Sequence, residues 1–119
     1  MGIRMHRDSD GKPTRHFSKK QEDYVSEHID AKKTKNSGAT MFEKGDLLSE
    51  KFIIECKTKT KLSSSISIHK DWLDKLKQES LFMGKDYEAL IFNFGPDTDN
   101  YAIIDMHLFN ELKKYLESE

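Results

Sequence analysis

The sequence contains little that would cross-link the chain or insert it into a membrane. Cys56 is the only cysteine among 119 residues, so no disulfide can form within the chain. Because it sits inside the apolar run 52–57, we expect a buried free thiol, as in a reducing compartment. No apolar run approaches the roughly 20 residues that cross a bilayer, and no N-terminal stretch resembles a signal peptide. These absences predict an intracellular, cytoplasmic protein without a membrane partner.

Several familiar kinds of cofactor or catalytic site are also missing. The six glycines are dispersed, which excludes a glycine-rich phosphate loop, and we expect no organic cofactor. The histidines are scattered and there is one cysteine, so the sequence shows no spacing of ligands that is typical of a zinc site. Three serines, 63–65, precede His69, but no residue is marked to orient that histidine. A serine-rich loop is therefore the simpler interpretation.

Length and charge narrow the remaining choices. A chain of 119 residues fits one domain. With 35% hydrophobic and 34% charged residues, its core must be small, and such a protomer often completes its burial by pairing with a copy of itself. The net charge of −1 hides a basic segment, 51–77, and an acidic one, 78–119. A basic segment suits a phosphate-binding surface, and lysines on ordinary solvated faces are the alternative.

The first 16 residues are interpreted as a flexible basic arm, and residues 17–119 as the folded domain. The arm is polar, contains glycine and proline, and shows no periodicity. Ser18 is a plausible N-cap for the first helix. On that helix, Glu22 shares the inward face of Ile29, unless it lies at the edge of the stripe and reaches solvent.

Apolar periodicity predicts the remaining elements. We expect strands over 40–48, 52–57, 64–69, 88–95 and 101–105, and helices over about 70–83 and 106–117. The order α, β, β, β, α, β, β, α predicts a single α/β domain with a mixed sheet flanked by helices. Five aromatic residues in these segments are expected to lie in the core: Phe82, Tyr87, Phe92, Phe94 and Phe109.

The strand 52–57 ends in the residues that suggest chemistry. Alternation places Glu55 and Lys57 on one face of the strand, where two opposite charges follow an apolar run. If Glu50 and Lys51 form a two-residue turn, Asp46 lies directly opposite Glu55, within about 5 Å. A shift of one residue in the pairing would separate the two carboxylates.

Two carboxylates this close repel unless a positive charge lies between them. Mg²⁺ prefers oxygen ligands and is often held by one or two carboxylates together with substrate phosphate. Lys57 would orient the attacking water or hold the scissile phosphate. The alternative is a surface ion pair between Glu55 and Lys57, with Asp46 in a turn.

These residues resemble the PD-(D/E)xK nuclease superfamily and, within it, the small Holliday junction resolvases of archaea and bacteriophages. The resemblance covers roughly 17–116. It rests on FSKKQEDYV around Glu22, NSGAT at 36–40, KGD at 44–46, IIECKTKT at 53–60 and SISIHKDWLDKL at 65–76. Gly45 stands where the motif of the superfamily has a proline.

The resemblance implies a restriction-endonuclease-like fold that binds Mg²⁺ or Mn²⁺ at Asp46 and Glu55, with Lys57 as the catalytic lysine. It makes Glu22 the acid of the first helix and a further metal ligand, and Ser37 a functional serine in a flexible loop. It also implies a homodimer that resolves four-way DNA junctions by paired phosphodiester hydrolysis, in a cell or in a phage-infected host. Contacts with DNA are expected from Arg4, Arg7, Arg15, Ser37, Lys59, Lys61 and Lys70.

Two other functions are compatible with the same residues. The chain could act on different DNA, as a nicking, repair or restriction-like nuclease. It could also be a catalytically silent module that binds nucleic acid. The intact set of two acids and a lysine argues against a catalytically inactive module. Inward carboxylates repel phosphate, so a protein that only binds nucleic acid would not need them.

Overall fold

The computed structural model describes residues 14–34 and 46–118. These form a single α/β domain with a mixed sheet of five strands and three helices, which confirms the predicted class. In chain order the elements are α1 (Thr14–His28), β1 (Lys32–Lys33), β2 (Leu47–Leu48), β3 (Phe52–Lys57), α2 (Lys70–Phe82), β4 (Tyr87–Phe92), β5 (Tyr101–Ile103) and α3 (Met106–Glu117). Strand β3 pairs in parallel with β4, and the other neighbouring strands are antiparallel.

Apolar residues on both faces of the sheet form two core clusters. Ile54 and Cys56 of β3 face α1, where they cluster with Val25. Ile53, on the opposite face of the same strand, clusters with Leu76 of α2. This alternation follows from the two-residue period of a strand. Both faces of β3 are therefore covered, and polar side chains on it emerge at its C-terminal end.

The first helix begins earlier than Ser18, the N-cap that the sequence suggested. Helix α1 starts at Thr14, so residues 14–16, which were assigned to the arm, are helical. The remainder of the predicted arm, with Arg4 and Arg7, lies outside the described residues. The loop serine, Ser37, and the first part of the predicted strand 40–48 also lie outside them.

The strand predicted over 64–69 is wrong. These residues form a connection without strand structure before α2. Ser63 holds a local turn, because its Oγ donates to the carbonyl of Ser65 at 2.8 Å and accepts from its N–H at 3.2 Å. Such local bonds compete with a strand ladder. In addition, β2 and β4 already occupy both edges of β3, while β1 (Lys32–Lys33) is a strand that the sequence did not predict.

Helix α3 has the predicted bounds but leaves much of its apolar face uncovered. Leu108 is buried, whereas Phe109 is 52% exposed and Leu116 is 76% exposed. Phe82, at the end of α2, is also exposed. The expectation that Phe82 and Phe109 lie in the core is therefore wrong for the protomer. Within the described residues, no helix is both long and apolar enough to cross a membrane.

Candidate active site

The β2–β3 hairpin sets the two central acids against each other. Ser49 N–H donates to the carbonyl of Phe52 at 3.0 Å, so Glu50 and Lys51 form the predicted two-residue turn. Leu47 and Leu48 pair with Ile54 and Ile53, but the pairing does not continue regularly, because the Asp46 N–H donates to the carbonyl of Ile54 at 3.0 Å. The predicted two-residue turn is therefore confirmed, whereas the ladder ends at Leu47, one residue short of the expected pairing of Asp46 with Glu55.

The carboxylates of Asp46 and Glu55 are in contact. Their side chains share a hydrogen bond, and the Cys56 N–H donates to Asp46 Oδ2 at 2.7 Å, which fixes the orientation of that carboxylate. Burial, followed by the negative charge of Asp46, raises the pKa of Glu55 from 4.5 to about 8. Ionising two carboxylates that are in contact costs free energy, because their negative charges repel. The pair therefore holds a proton at neutral pH or requires a cation.

Lys57 supplies the positive charge beside this pair. Its Nζ lies 3.8 Å from Glu55 Oε2 and 4.4 Å from the centre of the Trp72 ring. Trp72 belongs to α2 and packs partly buried against the core on that face. The indole thus restrains a flexible lysine chain from one side, while the carboxylate attracts it from the other. The neighbouring Lys57 charge partly opposes the rise in the pKa of Glu55.

Glu22 approaches from the other face of the sheet. It is only 8% exposed and lies on α1, which packs on the Cys56 side of β3. Burial raises the pKa of the Cys56 thiol, and the charges of Asp46, Glu22 and Glu55 add to that rise. The three acids therefore lie close enough to Cys56 for their charges to act on its thiol, with Glu22 on α1, across the sheet from Glu55.

Glu79 is an acid near this site that the sequence reasoning missed. Its charge contributes to the raised pKa of Glu55, so α2 brings a further carboxylate to the face that carries Lys57. A clue was present in the sequence, since Glu79 follows Trp72 by seven residues. Residues two helical turns apart share one face, so an inward Trp72 implied an inward-leaning Glu79.

The residues predicted to contact nucleic acid lie on different parts of the structure. Lys59 follows the site on the same segment, with its Nζ 3.4 Å from Ser63 Oγ, and Lys61 is exposed. Lys70, at the start of α2, is paired with Asp74 at 2.8 Å, and this partner raises its pKa. Arg15 lies in the first turn of α1. Lys59 and Lys61 thus follow Lys57 on one segment, whereas Lys70 and Arg15 lie on separate helices.

The donors available to a divalent cation at this site are the two central carboxylates. Across residues 14–34 and 46–118, no three His, Cys, Asp or Glu side chains are grouped as a metal site. The contacting pair of Asp46 and Glu55 supplies two hard oxygen donors. That number is ordinary for Mg²⁺, which keeps several waters and takes substrate oxygens as further ligands.

Comparison with known proteins adds no relative: no family model, curated protein or solved structure matches the chain. The chemistry of the site therefore follows from its own residues. These are two carboxylates in contact, an ammonium group beside them and an indole ring that restrains the ammonium.

Proposed function

We propose that this protein is a divalent-metal-dependent DNA endonuclease with Asp46, Glu55 and Lys57 as its active site. The observation that carries the proposal is the contact between the two carboxylates, with Lys57 Nζ 3.8 Å from one of them. A structural ion pair would need only one of these acids. The second carboxylate, placed against the first at a cost in free energy, suits a site that binds a cation.

The residues fit Mg²⁺ or Mn²⁺ at Asp46 and Glu55. Both ions accept carboxylate oxygens, and the positive charge relieves the repulsion within the pair. When bound, the cation supplies charge that stabilises the negative charge growing on phosphate during hydrolysis. Glu22 is proposed as the fourth member of the site, because it is buried and shares Cys56 as a neighbour with both acids.

The protein groups divide the remaining tasks. The backbone N–H of Cys56 donates to the Asp46 carboxylate and keeps it turned toward Glu55. Lys57 would donate to a non-bridging phosphate oxygen or hold the attacking water, since its ammonium has three donors and no acceptor. Trp72 limits the positions that this ammonium can take, which reduces the entropy lost when a substrate binds.

We propose branched DNA, the four-way junction, as the substrate and a homodimer as the active species. The substrate follows from the resemblance to junction resolvases and from the lysines of the segment 51–77. One protomer offers one acid pair, whereas two symmetric nicks require two sites, as a two-fold dimer provides. The exposed apolar face of α3 is the surface proposed for the second copy. The proposed compartment is the cytoplasm, where the Cys56 thiol would stay reduced.

The test uses labelled DNA of one sequence in three forms: single strand, linear duplex and four-way junction. Each is incubated with the full chain in Mg²⁺, in Mn²⁺ and in EDTA. The proposal predicts metal-dependent cleavage, with the junction cut into paired, symmetry-related nicked products. Equal cleavage of junction and duplex would retain the nuclease and remove the junction preference. No cleavage of any form in either metal would overturn the proposed function.

A further inference from the structure

A cavity of about 290 Å³ opens at the C-terminal ends of β3 and β4, on the α1 face of the sheet and so across the sheet from the Lys57 ammonium. We call it the amide pocket, because three side-chain amides line it. The residues that matter here are Phe17, Gln21, Tyr24, Thr58, Asn93 and Asn100. Gln21 Nε2 donates to the carbonyl of Lys57 at 2.8 Å, so the pocket begins directly against the backbone of the catalytic lysine.

The orientation of each amide in the pocket is fixed by its partners. Gln21 Nε2 faces the carbonyls of Lys57 and Ile91, so its Oε1 must turn away from them. Asn93 Oδ1 accepts from the Thr58 hydroxyl and from the N–H of Gly95. If the Gln21 amide were flipped, its oxygen would face carbonyl oxygens. If the Asn93 amide were flipped, its nitrogen would face the groups that now donate to its oxygen.

These constraints leave one acceptor without a partner and one donor turned outward. Within the described part of the chain, Gln21 Oε1 is buried and makes no hydrogen bond, although Gln21 is only 4% exposed. Buried acceptors are nearly always satisfied, so this atom indicates a missing donor. Asn100 Oδ1 accepts from Gln21 and Asn93, which turns its Nδ2 away from both.

The charge around the pocket argues against an anionic ligand. Three exposed residues also line it: Lys20, Asp97 and Asp99. Lys20 is already paired with Asp97 at 2.7 Å, so the acids outweigh the free positive charge. A phosphate would be repelled, whereas a neutral group with both a donor and an acceptor on its edge would not.

The pocket also offers flat apolar faces. Phe17 is buried, and Tyr24 is half exposed, with its ring stacked on His28 at 3.9 Å between centroids. Aromatic faces of this kind hold nucleobases by stacking, and base edges place donors beside acceptors. We infer that the amide pocket binds the base of an unpaired nucleotide, on the α1 face of the strand end that carries the Lys57 ammonium on its α2 face. This inference rests on the proposed function in taking DNA as the ligand.

Such a pocket would make the enzyme sensitive to DNA structure. A base leaves the stack at least cost where it is unpaired or mismatched. A base seated between Gln21 and Tyr24 would place its own nucleotide beside the backbone of Lys57. Selectivity for irregular DNA would then arise inside one protomer, separately from any two-fold symmetry of a dimer.

The test measures binding in EDTA, where no cleavage occurs. Two labelled duplexes are compared, one with a single unpaired adenosine and one with an abasic residue at that position. The full chain should bind the base-containing duplex about tenfold more tightly or better. Tyr24→Ala and Asn100→Ala should remove most of that preference. Tyr115→Ala, an exposed tyrosine of α3, is the matched control and should retain it.

A second measurement does not depend on variants. The unpaired adenosine is replaced by 2-aminopurine, whose fluorescence should fall on binding because the base stacks on Tyr24. Equal affinity for both duplexes would overturn the pocket and leave the nuclease proposal intact. A base preference that survives both pocket substitutions would also overturn it. A preference without metal-dependent cleavage would support the pocket and contradict the proposed function, and binding of neither duplex would overturn both.

Discussion

The Lys57 ammonium lies 4.4 Å from the centre of the Trp72 ring. A cation over an indole face is attracted by the ring, and the contact is strongest where water is partly excluded. Lys57 and Trp72 come from β3 and α2, so the contact links the catalytic strand to the helix that covers it. Trp72 is therefore expected to position the lysine rather than to act on substrate.

Replacement of Trp72 should slow cleavage without removing the metal. Trp72→Leu should lower the single-turnover rate by up to about tenfold, because the ammonium loses one of its two restraints. Trp72→Phe should recover part of the rate. Apparent metal affinity, measured by titration with Mn²⁺, should stay within about twofold. An unchanged rate for Trp72→Leu in a folded protein would show that the ring does not position the lysine.

The raised pKa of Glu55 predicts how stability depends on pH. The folded protein without metal keeps the proton up to about pH 8, whereas the unfolded chain releases it near 4.5. The free energy of unfolding should therefore fall as pH rises through this window, by on the order of a few kcal/mol. Urea denaturation in EDTA at several pH values measures it. Glu55→Gln should flatten the profile, and parallel profiles for the two proteins would contradict the assignment.

Gly95 should not accept a side chain. Its φ of +135° is open to glycine, and a Cβ there would lie 2.7 Å from Leu62 Cα and 2.8 Å from the Lys61 carbonyl. Gly95→Ala should therefore destabilise the fold by roughly 1–3 kcal/mol, as strained backbone positions do. Gly84→Ala is the control for positive φ alone, because nothing lies within 4 Å of a Cβ built there. Thermal melts measure the stability of the two variants. Equal losses of stability would show that the contact between the new Cβ and Leu62 is relieved without a cost in free energy.

The exposed stripe of α3 should carry the dimer. Phe109, Leu112 and Leu116 recur at helical spacing and are all exposed. Leu112→Glu should convert the protein to a monomer at micromolar concentration, because it would bury a charge between two copies. Asn110→Glu, on the opposite side of the helix from Leu112, should leave the mass unchanged. Sedimentation equilibrium gives the mass, and a dimer that tolerates Leu112→Glu would place the interface elsewhere.

The acid pair could be predicted because its geometry is local. Asp46 and Glu55 lie at the ends of a hairpin whose two-residue turn brings them close together, and strand alternation places Glu55 on one face of β3. Lys57 follows from the same alternation. The turn and the alternation along residues 46–57 were therefore enough to predict that these three residues lie together.

The features that the sequence did not reveal depend on distant residues. The side chains of Gln21 and Asn100 form a hydrogen bond although 79 positions separate them in the sequence. Side-chain amides form no periodic pattern in the sequence from which the pocket could be predicted. The prediction of a strand over 64–69 was wrong because Ser63 forms a local turn there, and because β2 and β4 already pair with β3 on both sides. Helix periodicity marked the apolar face of α3 but could not say whether the protomer itself would cover it.

The most direct test of the acid–lysine site compares two lysines on one segment. Lys57 faces Glu55 and Trp72, whereas Lys59, two residues later, reaches Ser63. Single-turnover cleavage of a four-way junction in Mg²⁺ is measured for Lys57→Ala and for Lys59→Ala. The proposed site predicts a loss of at least about a hundredfold for Lys57→Ala, as when a group that stabilises transition-state charge is removed, and no more than a few-fold for Lys59→Ala. Equal rates for the two variants would contradict it.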